Sequence, residues 1–451
     1  MSSHHPRHSL EHVVFAGGGT GGHLMPGLAV AEQLHRQWPG ARLTFAGDGK
    51  LWQRDLVRAA DCEYLDLPCH PLPRRLADAV RFARGEMAGY RTARAFLRRH
   101  RPEVVVGLGG FASVPMALAA ARAGVPLVLL EQNAVPGKAT RWLSRWARAV
   151  CLSFPEAADR LPRGCPIHVT GNPVRRAFFA GSRVAGTTAD LQGATGSSLS
   201  RGATGILPVP CLAEASLPGV PAASQPSSTT SPDPGSLNQL LVLGGSGGAE
   251  ALNRAMPEAL ARLSRAGVSL DDWRIVHQSG EEHVDATARR YALAGLSARV
   301  VGWIGEMPAA MHCSALAVCR AGGTTLAELA AARLPAVLVP YPHAADDHQR
   351  ANARALAARH PAVVVDQVLP PVGRDDARGR LADASFEHRL ASALVSAMSG
   401  SGGPLSPPAG PTPASEVPAP PANPSAATEV VELLLGAAAS AASRAKTPRA
   451  G

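Results

Sequence analysis

His12-Val13-Val14-Phe15-Ala16 runs straight into Gly17-Gly18-Gly19-Thr20-Gly21-Gly22-His23, and Leu240-Leu241-Val242-Leu243 runs into Gly244-Gly245-Ser246-Gly247-Gly248-Ala249. Each stretch reads as a buried strand, a glycine-rich turn and the start of a helix. Short apolar runs bounded by glycine fit strands covered on both faces, which is the habit of parallel sheets. The pattern occurs twice, more than two hundred residues apart, so it predicts two α/β units. Ligands in such units bind beyond the carboxyl ends of the strands, where these glycines lie.

Working outward from the two turns, the alternation continues. His12–Ala16, Arg42–Ala46, Val104–Gly107, Leu127–Leu130, Ala149–Leu152 and Ile167–Val169 read as strands, with helical patterns at Leu28–Trp38, Leu76–Arg99, Val114–Ala123 and Lys138–Arg148. The second block offers Leu240–Leu243, Trp273–His277, Leu316–Cys319, Ala336–Pro340 and Ala362–Val365. Residues 10–178 and 237–398 are therefore expected to form two doubly wound parallel domains. Between them, 29 of the 54 residues from Arg183 to Ser236 are Ser, Pro, Gly or Thr. Residues 399–427 include nine Pro. Neither composition buries enough apolar surface to offset chain entropy, so both are expected to be disordered, the first as an insertion. A terminal helix is predicted over 428–441.

Of the 451 residues, 46% are hydrophobic and 18% charged, which excludes a wholly disordered chain or a coiled coil. No run approaches the roughly 20 apolar residues of a spanning helix, and the first apolar run is too short for a signal peptide. The expected location is the cytoplasm, or a membrane approached from that side. The seven Cys include no Cys-x-x-Cys pair and read as reduced thiols. The net charge of +10 suits nucleic acid, anionic membrane or phosphorylated substrates alike. Nine Arg and only two acidic residues, Asp78 and Glu86, fall between Arg74 and Arg101.

Glycine lets a backbone approach an anion closely, and a helix N-terminus supplies N–H donors and positive potential. The first loop lacks the Lys-Ser/Thr ending of a P-loop. Asp48, near the end of the second strand, is a weaker pointer to NAD ribose. In the second loop Ser246 offers a hydroxyl to phosphate. A third segment, Cys319-Arg320-Ala321-Gly322-Gly323-Thr324-Thr325-Leu326-Ala327-Glu328, also follows a strand. Thr324 and Thr325 suit a diphosphate, and Glu328 suits the two hydroxyls of a ribose. Each also has a bland reading, as a tight turn or a surface carboxylate.

The ordered set of motifs resembles the MurG family of UDP-N-acetylglucosamine:lipid I N-acetylglucosaminyltransferases. The set comprises Gly18–His23 with Pro26-Gly27; Gly109-Gly110-Phe111-Ala112-Ser113; Glu131–Gly137; and Gly171-Asn172-Pro173-Val174-Arg175. It continues through the Ser246 loop, His277-Gln278-Ser279-Gly280, Gly322–Glu328, Pro340–His343, Asp346–Gln349 and Asn352-Ala353. The resemblance implies a GT-B fold, two Rossmann-like domains facing across a cleft. It implies inverting, metal-independent transfer of GlcNAc from UDP-GlcNAc to the 4-hydroxyl of MurNAc in lipid I, giving lipid II for peptidoglycan. No cofactor or metal is expected, and no Asp-x-Asp occurs in the chain. Matching positions place Ser246, Ile304, Gly323, Thr324, Thr325, Leu326, Ala327 and Glu328 around the nucleotide and Gln349 on the GlcNAc hydroxyls. Thr20, Gly21, Gly22, Asn133 and Arg175 match further substrate-binding positions. The chain departs from the pattern at Gly247, where Gln is usual, at Phe111, where Tyr is usual, and at Leu130, where His is frequent.

Inversion at the sugar needs a base for the acceptor proton. His23, which ends the first loop and titrates near neutrality, is the leading candidate, with an orienting role as the alternative. Glu131 is the second candidate. His277, His343 and His348 fall in the other half and suit binding or packing. A polyprenyl acceptor implies peripheral attachment to an anionic membrane surface on the cytoplasmic face. The Arg74–Arg101 segment, Trp142 and Trp146 supply basic and apolar groups there, with Val80, Phe82, Met87 and Tyr90 as apolar contacts. A UDP-GlcNAc 2-epimerase shares the architecture but not the acceptor-side loops. A nucleic-acid partner is not expected, because no interleaved aromatics accompany the charge.

Overall fold

The computed structural model describes residues 9–19, 21–70, 79–179, 238–245, 247–367, 377–398 and 422–446. The expected insertion at 183–236 and most of the 399–427 segment lie outside them, as do Thr20 and Ser246.

The described residues form two all-parallel sheets. The first half runs β1 (His12–Ala16), α1 (Gly21–Gln37), β2 (Arg42–Gly47), α2 (Leu51–Ala59), β3 (Glu63–Asp66), α3 (Ala79–His100), β4 (Val104–Gly107), α4 (Val114–Ala123), β5 (Leu127–Glu131), α5 (Lys138–Leu143), β6 (Ala149–Leu152) and β7 (Ile167–Val169). The second runs β8 (Asn238–Leu243), α6 (Glu250–Arg265), β9 (Trp273–Gln278), α7 (Val284–Leu293), β10 (Ala298–Val301), α8 (Met307–His312), β11 (Leu316–Cys319), α9 (Gly323–Ala332), β12 (Ala336–Leu338), α10 (His348–Ala357), β13 (Ala362–Val364) and α11 (Ala377–Met398). A last helix, α12 (Ala426–Lys446), follows. The sheet orders are β3-β2-β1-β4-β5-β6-β7 and β10-β9-β8-β11-β12-β13.

Side chains alternate across each strand, so each sheet is packed on both faces. Val13 and Phe15 join one core with α1, while Val14 and Ala16 join another with α3 and α4. Leu241 and Leu243 face α9, whereas Leu240 and Val242 face α6 and α11. Two strands escaped the sequence reading, β3 and β10. Both are edge strands with half-exposed side chains, so neither shows a continuous apolar run.

Helix α1 begins at Gly21, seven residues before the predicted start, because the glycine loop itself winds into the first turn. Helix α12 begins at Ala426, and the expected disorder of 399–427 does not extend over 422–427. There Asn423 accepts a hydrogen bond from the Ser425 N–H and donates to the Thr170 carbonyl and to Glu429. These bonds tie the stretch to the first domain. Helix α12 then buries Val430, Val431 and Leu434 against that domain's sheet, far from α11 in fold though next in sequence.

Candidate active site

Each sheet reverses its strand order beside its first strand, between β1 and β4 and between β8 and β11. Such reversal points splay the following loops apart and leave a crevice. The loops are the ones singled out by glycine, and they face one another. A cavity of about 1430 Å³ lies between the domains, lined from one side by Gly21, Gly22, His23, Phe111 and Asn133. From the other side it is lined by Gly244, Gly245, Ile304, Gly323, Thr324, Thr325, Glu328 and Gln349. The N-termini of α1, α9 and α10 all open onto this space, each bringing first-turn N–H groups that have no partner within the helix, and positive potential.

The two domains touch where these helices start. Pro26 lies inside α1 and has no N–H, so the Gly22 carbonyl loses its normal helical partner. The Thr324 hydroxyl donates to that carbonyl at 2.6 Å. Beside it, Gly323 packs against the Gln132 carbonyl so closely that any Cβ would collide. Asn352, fully buried, completes the seam. Its Oδ1 accepts the Ala134 N–H at 2.8 Å, and its Nδ2 donates to Asn133 Oδ1 at 3.0 Å and to the Ala321 carbonyl at 3.1 Å. At the rim, Arg141 pairs with Asp346 at 2.7 Å.

His23 stands in the cavity wall with its ring against Gly109 and Gly110. Burial, and to a lesser degree His348 across the cleft, pushes its pKa down to about 4. The imidazole is therefore neutral at pH 7 and able to accept a proton. Glu131 is placed differently. It is buried behind the wall, and its oxygens accept bonds from the Asn133 N–H, Asn133 Nδ2 and the Gly137 N–H. Burial holds its carboxyl above the usual range. It shapes the loop that carries Asn133, and does not line the cleft.

On the donor side Glu328 faces the cavity, and burial pushes its pKa up to about 7, opposed by the Arg175 guanidinium. Arg175 itself stacks over Phe178 at 5.4 Å. Gln349 Oε1 accepts the Tyr341 N–H at 2.9 Å, which turns its Nε2 donor outward for a ligand. The Ile304 N–H is taken by Gln278 Oε1 at 3.0 Å. Leu326 and Ala327 differ from expectation: both side chains are fully buried in the core under α9 and neither reaches the cavity. At helical spacing they fall on the sheet-facing side, opposite Thr325 and Glu328. Asn133 lines the cavity, but its amide is already held between Glu131 and Asn352.

Three positioning groups were not recognised from the sequence. Gln278 Nε2 donates to the Gly245 carbonyl at 3.0 Å, so one side chain joins the second glycine loop to the Ile304 loop. Arg320 spans the Val339 and Pro340 carbonyls and stacks on Tyr341 at 5.5 Å. Beneath the second loop, the Tyr291 hydroxyl donates to His277 Nδ1, whose Nε2–H donates to Asn253 Oδ1, both at 3.0 Å. Asn253 Nδ2 in turn donates to the Ser279 carbonyl, against which Gly248 packs at φ +76°. Burial pushes His277 down to about 3, consistent with this neutral tautomer. Gln278 and His277 stand in a quoted motif. Only their partners, far away in sequence, reveal what they do.

Among the described residues no group of three or more His, Cys, Asp or Glu is arranged to hold a metal ion.

Comparison with known proteins agrees with this geometry. Residues 13–152 match the glycosyltransferase family 28 N-terminal domain, and residues 239–369 match the family 28 C-terminal domain. The chain is 38% identical over 367 residues to a UDP-N-acetylglucosamine--N-acetylmuramyl-(pentapeptide) pyrophosphoryl-undecaprenol N-acetylglucosamine transferase of Syntrophotalea carbinolica, covering 79% of this chain and 85% of the relative. It is 36% identical over 369 residues to the enzyme of the same name from Nitratidesulfovibrio vulgaris (Miyazaki F), covering 81% and 85%. The crystal structure of Acinetobacter baumannii MurG superposes with a TM-score of 0.53 at 26% identity, covering 94% of this chain and 99% of that one. A Neisseria meningitidis UDP-GlcNAc 2-epimerase bound to UDP-GlcNAc also gives 0.53, but at 11% identity it shares the fold alone.

Proposed function

The chain belongs to glycosyltransferase family 28, and from that premise we propose that it transfers GlcNAc from UDP-GlcNAc to the 4-hydroxyl of MurNAc in lipid I. One observation carries this reading: His23 of one domain and Glu328 with Gln349 of the other face a single cavity. In the proposed reaction Glu328 accepts the ribose hydroxyls and Gln349 donates to the GlcNAc. The acceptor oxygen attacks C1 from the face opposite the leaving group, the bond from C1 to UDP breaks, and the configuration inverts. The hydroxyl proton passes to the neutral His23 ring. Charge developing on UDP is met by helix N-termini, hydroxyls and Arg, without a metal. Incubation with UDP-GlcNAc and a short-chain lipid I analogue in EDTA tests this. Disaccharide product and UDP should appear in equal amounts; epimerised or hydrolysed sugar without disaccharide overturns it.

The enzyme is further proposed to sit peripherally on the cytoplasmic face of the cell membrane. The outward side of α3 presents Val80 at 66% and Met87 at 51% exposure among Arg81, Arg84 and Arg91. Nearby in the same domain, Trp142 and Trp146 are also exposed, with Arg145 stacked on Trp146 at 5.3 Å. Each basic side chain at an anionic surface contributes about 1 kcal/mol. Phe82, by contrast, turns into the cleft, and Tyr90 packs toward the sheet. Sedimentation with anionic vesicles should weaken as salt rises; equal binding to neutral vesicles overturns the electrostatic part.

A further inference from the structure

Helix α3 has three faces. Gly85, Gly89, Ala93 and Leu97 are buried against its neighbours, and Val80, Arg84, Met87 and Arg91 point outward. Phe82 and Glu86, one turn apart and therefore on one side, line the cleft. Glu86 is anomalous there. It stands in the chain's most Arg-rich segment, yet forms no ion pair with any described residue. Its one hydrogen bond among the described residues is a long one, 3.4 Å from the His70 N–H. The His70 ring packs directly against Gly85, so this turn of the helix is held against the stretch that ends at His70. Burial holds its carboxyl above the usual range, and among the described residues no cation opposes that effect.

A half-buried carboxylate without a counter-charge loses hydration and gains nothing in return unless a ligand supplies the cation. We propose that Glu86 is a specificity-determining residue that binds an ammonium group on the peptide of the acceptor. The inference rests on the transferase reading above, in which the acceptor carries a pentapeptide. In that reading the sugar lies at His23 and the lipid at the outward face of α3. A peptide branching from the sugar then leaves along the cleft wall between them, where Phe82 and Glu86 stand.

The test compares two lipid I analogues whose pentapeptide bears one lysine, with its ε-amine free or acetylated. The wild-type enzyme should favour the free amine by about tenfold in kcat/KM, expressed in KM, as expected for a charge-assisted hydrogen bond. In Glu86→Gln the ratio between the two acceptors should fall toward one. A ratio of one in the wild type, or a ratio that persists in the variant, overturns the contact. A general loss that leaves the ratio unchanged marks Glu86 as structural and also overturns it. Failure of the wild type to use either acceptor would instead sink the transferase reading itself. UDP titration and thermal melting of Glu86→Gln check that the donor domain and the fold are intact.

Discussion

The Thr324 hydroxyl donates to the Gly22 carbonyl at 2.6 Å, joining the first turns of two helices from different domains. It can do so because Pro26 has no N–H to offer that carbonyl. A break in one helix thus becomes the docking point of another. Together with Asn352 it holds the acceptor-side and donor-side loops in one register. A shift of about 1 Å in such a register is enough to misplace reacting atoms.

Thr324→Val should therefore lower kcat by roughly tenfold or less, in line with one hydrogen bond of about 1 kcal/mol. Thr324→Ser should retain most of the activity. Pro26→Ala offers Gly22 an intrahelical donor and should reproduce part of the defect, and the double variant should be less than additive. Steady-state kinetics on the four proteins decide the matter; full additivity would show that the contact is incidental.

For His23, a pKa near 4 places the acidic limb of the kcat profile well below the ordinary histidine range. Activity should stay level from pH 7 down to about 5 and fall as the ring gains its proton. His23→Ala should lower kcat by about 10²–10⁴ and remove that limb. His348→Ala removes a neighbouring positive charge, so the limb should move up in pH. Near-wild-type kcat in His23→Gln would leave His23 an orienting role, since an amide cannot accept the proton.

Glu328, pushed up to about 7, is half protonated near neutrality before ligand binds. Ribose hydroxyls prefer the carboxylate, so UDP binding should release protons and tighten as pH rises through 7. Calorimetry in buffers of different ionisation enthalpy measures the release. Glu328→Gln should abolish it and weaken UDP by about tenfold or more. Undiminished proton release in that variant would assign the effect elsewhere.

Stability should fall in mild acid. His277 is completely buried and takes up its proton only near pH 3, whereas an unfolded histidine does so near 6.5. Between those values the unfolded chain binds more protons, so the unfolding free energy drops as pH is lowered through this window. At about 1.36 kcal/mol per pH unit, His277 alone accounts for roughly 3–5 kcal/mol. His12 and His360, also shifted down by burial, act in the same direction. Melting curves from pH 7 to 4 should show the decline, and His277→Gln should flatten it. Constant stability across that range would contradict the buried neutral ring.

Leu434, fully buried under the first sheet, makes α12 part of the amino-terminal domain's core. Leu434→Ala should cost about 2–5 kcal/mol. Melting with and without UDP separates the domains, because the loss should appear in the unliganded first domain. An unchanged melting temperature would mean that the helix is a dispensable appendage.

What the sequence alone determined follows from local rules. Glycine runs after buried apolar strands mark the reversal points of both sheets, and ten of the eleven expected strands match in position to within one residue at either end or lie inside the observed strand; Ala336–Pro340 alone runs two residues too far. That holds because a strand buried on both faces must be continuously apolar, as His12–Ala16 and Leu316–Cys319 are nearly throughout. The motifs also placed His23, Thr324, Thr325, Glu328 and Gln349 at loop ends and helix starts, which is where the cavity lies. Edge strands β3 and β10 carry no such signal, since water replaces one neighbour. Roles that depend on partners distant in the chain were decided only by tertiary structure. Glu131 and Glu328 are both carboxylates in quoted motifs, yet one is bound by loop N–H groups and the other faces open space. Leu326 and Glu328 are two residues apart, but the turn of the helix sends one into the core and the other into the cleft. A hydrogen bond or a buried face is a property of what packs opposite, and packing is settled only when both domains are folded.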